Sequence, residues 1–483
     1  MTRPKERRAS VFVCQECGHE SARWMGFCPA PGCRSSLPLQ EMVLPPKDRS
    51  APQPWLDAAA EAPQELSQLS LQDHRRIQLP SAELNRVLGG GIVAGSVVLL
   101  AGEPGIGKST LLLQVAQHLA SREQSVLYVS GEESPHQIKL RADRLGFSGQ
   151  GVFLLSETDV DRILARLEEC RPGLAIVDSI QTLYTQDIPS SPGGVAQVRE
   201  CGLRLMRWAK LRNVPVFLAG HVTKDGTLAG PRVLEHMVDV VMYLEGQELN
   251  TYRILRSGKN RFGATTEIGV FEMGSQGLAE VPDPSQALLA QRHEQSVGTA
   301  LVPVLEGTRP LLLEVQALTS PTHLPAPRRV ANGVDYNRLL MLTAVASRRA
   351  GLDLGGQDII VSVAGGFRVS EPAADLAVVL ALASSLYNRP LDPGLVAFGE
   401  VGLSGELRAV PQAERRLVES RRLGLTRCVM PDPGREMERR PDLDVMSART
   451  LRQALRAVLG ASRGPRESRE AEPLLEGADS DLP

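Results

Sequence analysis

The sequence predicts an α/β protein: a mainly parallel sheet with helices on both faces, preceded by a small four-cysteine module and followed by a second, α+β domain. Three observations carry this. Four of the seven cysteines crowd into residues 14 to 33. From about residue 78, short apolar runs alternate with longer amphipathic ones, and a glycine-rich turn, Gly102 to Ser109, joins the first run to the first long helix. After the break PDPSQ at 282 to 286 the pattern restarts. At 483 residues the chain exceeds one ordinary core, in line with two or three domains.

A formal charge of −2 and a pI near 6.5 exclude a whole-chain basic field, so any nucleic-acid contact has to come from local groups. No apolar run approaches the roughly 18 to 20 residues of a membrane span. The basic start MTRPKERRAS leads into VFVCQECGHE rather than an apolar signal region. A soluble, cytoplasmic protein without a membrane partner is expected.

Residues 11 to 42 form the first module. Its spacing, Cys14-x2-Cys17-x10-Cys28-x4-Cys33, sets ligand pairs on two turns, Cys17-Gly18 and Gly32-Cys33, as tetrahedral Zn²⁺ demands. A redox Cys-x-x-Cys is the weaker reading, because no βα pattern surrounds the first pair. Metal binding would supply ~10 to 16 kcal/mol to a module too small to fold unaided. His19 is near enough to compete, but four cysteines already fill the site. Residues 43 to 77, rich in Pro, Ala, Ser and Gln, read as a linker.

The core is expected over 78 to 285. Strands are predicted at 96–102, 125–131, 151–156, 174–179 and 215–221, with helices from Lys108, near 159–170 and near 195–212. The runs VDVVMYLEG, NTYRILRSG and EIGVFEM then suggest antiparallel strands at one sheet edge, with Ser257 to Gly263, SGKNRFG, in the turn between the last two.

Gly102-Glu103-Pro104-Gly105-Ile106-Gly107-Lys108-Ser109 satisfies G-x-x-x-x-G-K-[ST], follows a predicted strand and opens a periodic helix that continues with Thr110. Backbone N–H groups can curl round phosphates there, Lys108 can reach the outer phosphates, and Ser109 can ligate Mg²⁺. ATP and Mg²⁺ are the ligands implied. Asp178 ends the apolar run Leu174 to Val177, where a carboxylate for the Mg²⁺ side belongs. Glu132 and Glu133 end another predicted strand. Either a water-orienting carboxylate or an acidic helix start explains them, with Glu133 the easier capping partner. His221 ends the strand PVFLAG, a position that is either structural or placed to sense the γ-phosphate.

The segments LGGGIVAGSVVLLAGEPGIGKSTLLLQ, LYVSGEES, IVDSIQT and KNRFG, behind a four-cysteine module, resemble the RadA (Sms) family of bacterial DNA repair proteins over about residues 10 to 460. The resemblance implies a RecA-like P-loop core and a hexameric ring. It also implies that Glu132 activates water, that Asp178 serves the Mg²⁺ side, and that His221 couples the γ-phosphate to a DNA-binding loop. The family's second cysteine pair is usually C-x2-C; here Ala30-Pro31 lengthens it.

By the same resemblance Lys259 and Arg261 act on the next subunit's nucleotide, since within one chain they can hardly reach their own phosphates. A cation in trans is worth ~10³ to 10⁵ in rate in related chemistry. A solvated basic turn that blunts a sheet edge is the plain alternative, and Lys259 can also contact DNA. The long loops Thr185 to Val198 and Val222 to Met237, with Lys224, Arg232 and nearby Arg199, have a composition that mobile surface loops share; the resemblance implies that they are the DNA loops of the ring channel.

Residues 286 to 460 resemble the Lon protease domain, which needs a Ser nucleophile and a Lys base. Ala373 stands at the nucleophile's place and the lysine's place falls near Glu414, with no Lys after Lys259. This Lon-protease-like domain is therefore expected to be proteolytically inactive, a scaffold or a DNA-binding surface. Arg415, Arg416, Arg421 and Arg422 read equally well as a solvated basic face. Residues 461 to 483 read as a disordered tail. The resemblance implies a DNA-dependent ATPase, a motor on single-stranded DNA and branched recombination intermediates beside the RecA recombinase, associated with the nucleoid. The alternative is a P-loop ATPase that remodels or regulates a protein.

Overall fold

The computed structural model describes residues 10–14, 17–30, 33, 37–43, 65, 67, 76–122, 124–222, 232–246, 252–290, 292–293, 296–324, 326–432 and 443–460. Most of the linker 43–77, the tail 461–483, the middle of the loop Val222–Met237 with Lys224, and the Arg232 side chain lie outside them. By packing, the chain divides into two units: residues 1–292 with 304–312 and 364–368, and residues 293–303, 313–363 and 369–483.

In the first unit, β1 (Ser10–Val13), β2 (Glu20–Ser21) and β3 (Gln40–Val43) form a three-stranded antiparallel sheet in the order β2-β1-β3. The core follows as α1 (Ala82–Val87), β4 (Val97–Gly102), α2 (Lys108–Ala120), β5 (Val126–Ser130), α3 (Pro135–Arg144), β6 (Val152–Ser156), α4 (Val160–Cys170) and β7 (Leu174–Asp178). It continues with α5 (Val195–Arg212), β8 (Val216–His221), α6 (Arg232–Glu235), β9 (Val240–Glu245), β10 (Tyr252–Asn260), β11 (Ile268–Gly274) and β12 (Gly277–Glu280). The sheet order is β12-β11-β10-β9-β4-β8-β7-β5-β6, parallel from β9 to β6 and antiparallel beyond.

Every residue of β4, β5 and β7 is buried, because helices cover both faces; that is why these strands read as unbroken apolar runs. One face packs Leu111, Leu112, Val115 and Leu119 of α2 on Val98 and Leu100. The other packs Ile163 and Leu167 of α4 and Leu205 and Trp208 of α5 on Val97 and Leu99. Local signals bound the helices: Ser134 and Gln137 form a capping box on α3, Asp159 caps α4, and Asn213 closes α5 in the left-handed region.

One placement differs from the sequence reading. Ser257 to Asn260 are not in a turn but extend β10, paired to β9 as far as Asn260 opposite Val240. A bulge between Ser257 and Lys259 absorbs the extra residue and lets the ladder continue.

In the second stretch, α7 (Pro284–Leu289) precedes β13 (Thr299–Glu306), β14 (Arg309–Pro321), β15 (Arg329–Asn332), α8 (Tyr336–Val345), β16 (Gln357–Val363), α9 (Asp375–Leu386) and β17 (Leu395–Ala397). After β18 (Glu400–Val401) and β19 (Leu407–Arg408) come α10 (Ala413–Arg422), β20 (Arg427–Pro431), β21 (Asp444–Ala448) and α11 (Leu451–Leu459). A seven-stranded mixed sheet runs β15-β16-β14-β13-β17-β20-β21. Helix α9 is buried along its length from Asp375 to Ser384, as an all-round apolar helix must be. Its one charge, Asp375, accepts from Arg338 Nε at 2.9 Å and from the Val401 amide at 3.0 Å.

The reading of α10 as a solvated basic face is corrected for Arg416. This side chain is 1% exposed, forks onto Glu371 with two 2.7 Å bonds and donates to the Pro303 carbonyl at 2.6 Å. A buried guanidinium needs such partners. Arg422 in turn forks onto Glu419. Ala373, the residue that the resemblance sets at the nucleophile's place, is buried.

Candidate active site

Sheet register builds the site. Gly102, which ends β4, is level with His221, which ends β8; Val177 of β7 is level with Leu218 of β8, and Ser130 of β5 with Asp178. The P-loop, His221, Asp178 and the Glu132 turn therefore share the C-terminal edge of the parallel strands, where open α/β sheets bind ligands.

Gly107 has φ of +116°, and a Cβ there would come within 2.5 Å of Met273, so the loop demands glycine. Ile106 and Thr110 point into protein, and Glu103, Pro104 and Gly105 are exposed. Ile106 and the glycines have backbone groups rather than side chains to offer a phosphate. Lys108 Nζ donates to the Gly102 and Glu103 carbonyls at 3.0 and 2.9 Å and lies 3.1 Å from His221 Nδ1. Burial pulls its pKa down, opposed by the charges of Asp178 and Glu132.

An ammonium can only donate, so His221 Nδ1 accepts and Nε2 carries the proton. That nitrogen is 3.3 Å from Glu132 Oε1. Ser179 Oγ also donates to Glu132. The His221 hydrogen bond first, then the Ser179 hydroxyl and the charge of Lys108, hold Glu132 at about 2 against the upward push of burial. Glu132 is thus an ionised acceptor suited to orienting water. The neighbouring Glu133 is separated from it: its carboxylate forks onto Arg141 with two 2.6 Å bonds, and Ser134, not Glu133, caps α3. Asp178 Oδ2 accepts from the Tyr128 hydroxyl at 2.7 Å, and burial first, then Asp178, push that phenol up.

Sequence reasoning missed Tyr128, Ser179 and Gln181. Gln181 Nε2 donates to the His221 carbonyl at 3.1 Å. Ser179 directly follows Asp178, a signal that was available. Tyr128 and Gln181 reach their partners from other strands or turns, and no spacing announces them.

Lys259 and Arg261 are not brought to this edge. Asn260 pairs with Val240, and Val240 is level with Val98, four residues before Gly102. At about 3.3 Å per residue this is ~13 Å of strand away from their own P-loop. Arg261, half-exposed, donates from its amide to the Asp239 carbonyl at 3.0 Å and from Nη1 to Oδ1 at 3.1 Å. Lys210 Nζ shares that oxygen at 3.2 Å. Lys259 Nζ donates to the Glu235 and His236 carbonyls. The rest of the pentapeptide is structural. Asn260 bonds the Val87 carbonyl and the Phe262 amide, Phe262 packs on the core, and a Cβ on Gly263 would meet Gly89 at 2.7 Å.

In the N-terminal module the Sγ atoms of Cys14, Cys17, Cys28 and Cys33 all lie within 4.8 Å of one another, with Cys17 to Cys28 at 3.4 Å and Cys14 to Cys33 at 3.9 Å. A tetrahedron with Zn–S of ~2.3 Å needs sulfurs about 3.8 Å apart, so the set fits Zn²⁺. Burial pushes the Cys17 and Cys28 thiols up, and a bound cation would reverse that by taking thiolates. The lengthened Cys28-x4-Cys33 pair does not keep Cys33 out of the cluster. Among the described residues no helix is long and apolar enough to cross a membrane.

A family model described as an AAA domain matches residues 61–227. The chain is 47% identical over 452 residues to the DNA repair protein RadA of Bacillus subtilis (strain 168), covering 93% of this chain and 99% of that one. With the RadA of Halalkalibacterium halodurans it shares 48% over 456 residues, 94% and 99% of the two chains, and with that of Haemophilus influenzae 47% over 453 residues, 93% and 98%. A KaiC-like protein of Pyrococcus horikoshii OT3 is 20% identical with a TM-score of 0.36, over 43% of this chain and 100% of that one. The core is that of an ATP-hydrolysing P-loop enzyme, and the chain belongs to the RadA family of bacterial DNA repair proteins.

Proposed function

We propose that this chain is a DNA-dependent motor that uses ATP hydrolysis to drive branch migration of recombination intermediates, working as a hexameric ring on single-stranded DNA beside the RecA recombinase. The observation that supports it best is the chain of contacts Lys108–His221–Glu132. It links the phosphate-binding lysine, the carboxylate and the strand end from which the loop at Val222 departs. On this reading ATP and Mg²⁺ engage the P-loop through Gly102 to Thr110, with Ser109 and Asp178 on the metal. Glu132 orients the attacking water, and His221 reports the γ-phosphate to the loop that follows it.

Lys259 and Arg261 act on the next subunit's nucleotide; their distance from their own P-loop supports this. Zn²⁺ holds the N-terminal module, and the work is done at the chromosome in the cytoplasm. The test is ATP hydrolysis by the purified protein with Mg²⁺ while single-stranded DNA is titrated, with Lys108→Ala as the blank. Saturable stimulation that weakens with salt supports the motor. Turnover indifferent to DNA sinks it.

A further inference from the structure

The stretch Thr185 to Gly194 contains Pro189, Pro192, Gly193 and Gly194, and its composition reads as a loose surface loop. Its hydrogen bonding contradicts that. Gln197, 1% exposed in the first turn of α5, accepts from the Thr185 amide at 2.8 Å. Its Nε2 donates to three carbonyls of the loop: Thr185 at 3.1 Å, Ile188 at 2.9 Å and Ser190 at 3.0 Å. A primary amide has two hydrogens, so three acceptors share them, and one side chain sets the path of six residues.

Two turns further along α5, Arg204 is also buried. It bonds Asp161 at 2.6 Å, Asp187 at 2.5 Å, Glu200 at 2.9 Å and the Thr185 hydroxyl at 3.0 Å. Thr185 Oγ1 in turn donates to Asp161. The guanidinium does two things here. It ties the start of the loop to α4 and α5, and it holds Asp187, an exposed carboxylate on the loop, in an ion pair shared with Asp161 and Glu200, which offsets part of the repulsion that Asp187 would offer a phosphate.

We propose that Gln197 and Arg204 are positioning residues for the DNA-facing loop Thr185–Gly194, which together present to a single strand a loop of fixed path with its carboxylate Asp187 held in an ion pair. This rests on the proposed reading of that loop as a DNA contact. Neither side chain touches the strand; each acts through the loop backbone or through Asp187.

The test uses the full-length protein and three variants. Gln197→Leu removes the amide. Gln197→Glu keeps the acceptor for Thr185 but turns a carboxylate on three carbonyls. Arg204→Lys keeps the charge and loses the fork. The readouts are the half-saturating concentration of an oligothymidylate in the ATPase titration, the ratio of DNA-stimulated to DNA-free turnover, and the melting temperature. The half-saturating concentration should rise about tenfold in Gln197→Leu and more in Gln197→Glu, and the ratio should fall. In Arg204→Lys the rise should be smaller and should not grow at low salt, because the charge is kept. A lower melting temperature with an unmoved DNA response is what simple packing would give, and it overturns the proposal. If the parent itself ignores DNA, the underlying reading has failed. Backbone amide exchange then decides the clasp alone: faster exchange over 185–194 in Gln197→Leu upholds it, and unchanged exchange removes it.

Discussion

Nε2 of His221 lies 3.3 Å from Oε1 of Glu132, while the other ring nitrogen faces the ammonium of Lys108. The imidazole is thereby fixed in one tautomer between the P-loop lysine and an ionised carboxylate. Any movement of Lys108 toward a phosphate changes what His221 can accept, and through it what Glu132 feels.

Glu132→Gln should keep nucleotide binding and lower ATP turnover by ~10² to 10⁴. Binding of a fluorescent ATP analogue beside steady-state hydrolysis checks this. Equal loss of both would return Glu132 to a structural role.

His221→Asn should raise the Glu132 pKa, because its leading hydrogen bond is lost. The sign for stability follows from the depressed value. Glu132 contributes stability that is full above its ordinary 4.5 and fades as pH falls toward about 2. The stability gap between the parent and Glu132→Gln should therefore be flat near neutrality and shrink across that acid window. In the His221→Asn background the gap near neutrality should be smaller, and its shrinkage, beginning at the same ordinary value, should be complete at a higher pH. Chemical denaturation at a series of pH values reads both.

Arg261→Ala and Lys108→Ala should each be inactive alone and regain ATP turnover when mixed and reassembled. Such a mixture contains interfaces that join an intact P-loop to an intact Arg261. No recovery at any mixing ratio would argue against action across subunits.

Arg416→Ala should destabilise its domain by about 3 to 5 kcal/mol, because Glu371 would lose its partner in a largely buried setting. Glu371→Gln with Arg416→Met should recover part of the loss. Thermal unfolding measures it, and a shift no larger than that of an exposed arginine would refute the burial argument.

Removing the metal with a chelator, or Cys33→Ala, should unfold the N-terminal module and leave DNA-free ATP turnover in place. Metal content per chain, measured by atomic emission, should fall from one Zn²⁺ toward zero in Cys33→Ala. An unchanged content would mean that Cys33 is no ligand despite its place in the cluster.

Patterns of local origin were legible before any fold was seen. Unbroken apolar runs announced β4, β5 and β7, since a strand covered on both faces has no polar side to alternate with. The P-loop was legible because its glycines and Lys108 answer to backbone geometry within eight residues. The cysteines were legible because a tetrahedral ion tolerates few spacings.

Relations across strands were not legible. The position of Lys259 depended on a bulge at Gly258, where a Cβ would come within 2.6 Å of Tyr243 on β9, and that close approach across strands is invisible in the local pattern, so the segment read as a turn. Glu132 and Glu133 are adjacent and chemically alike. Only the arrival of His221 and Ser179 on one side and Arg141 on the other tells them apart. Arg416 looked like its exposed neighbours on α10 until Glu371 and the Pro303 carbonyl closed over it. By itself the sequence determined which segments become strand, helix and phosphate loop, because those choices follow from side-chain periodicity and backbone preference over a few residues. The tertiary structure alone decided which charge meets which partner, because a charge's role depends on what burial and long-range pairing place within about 3 Å of it.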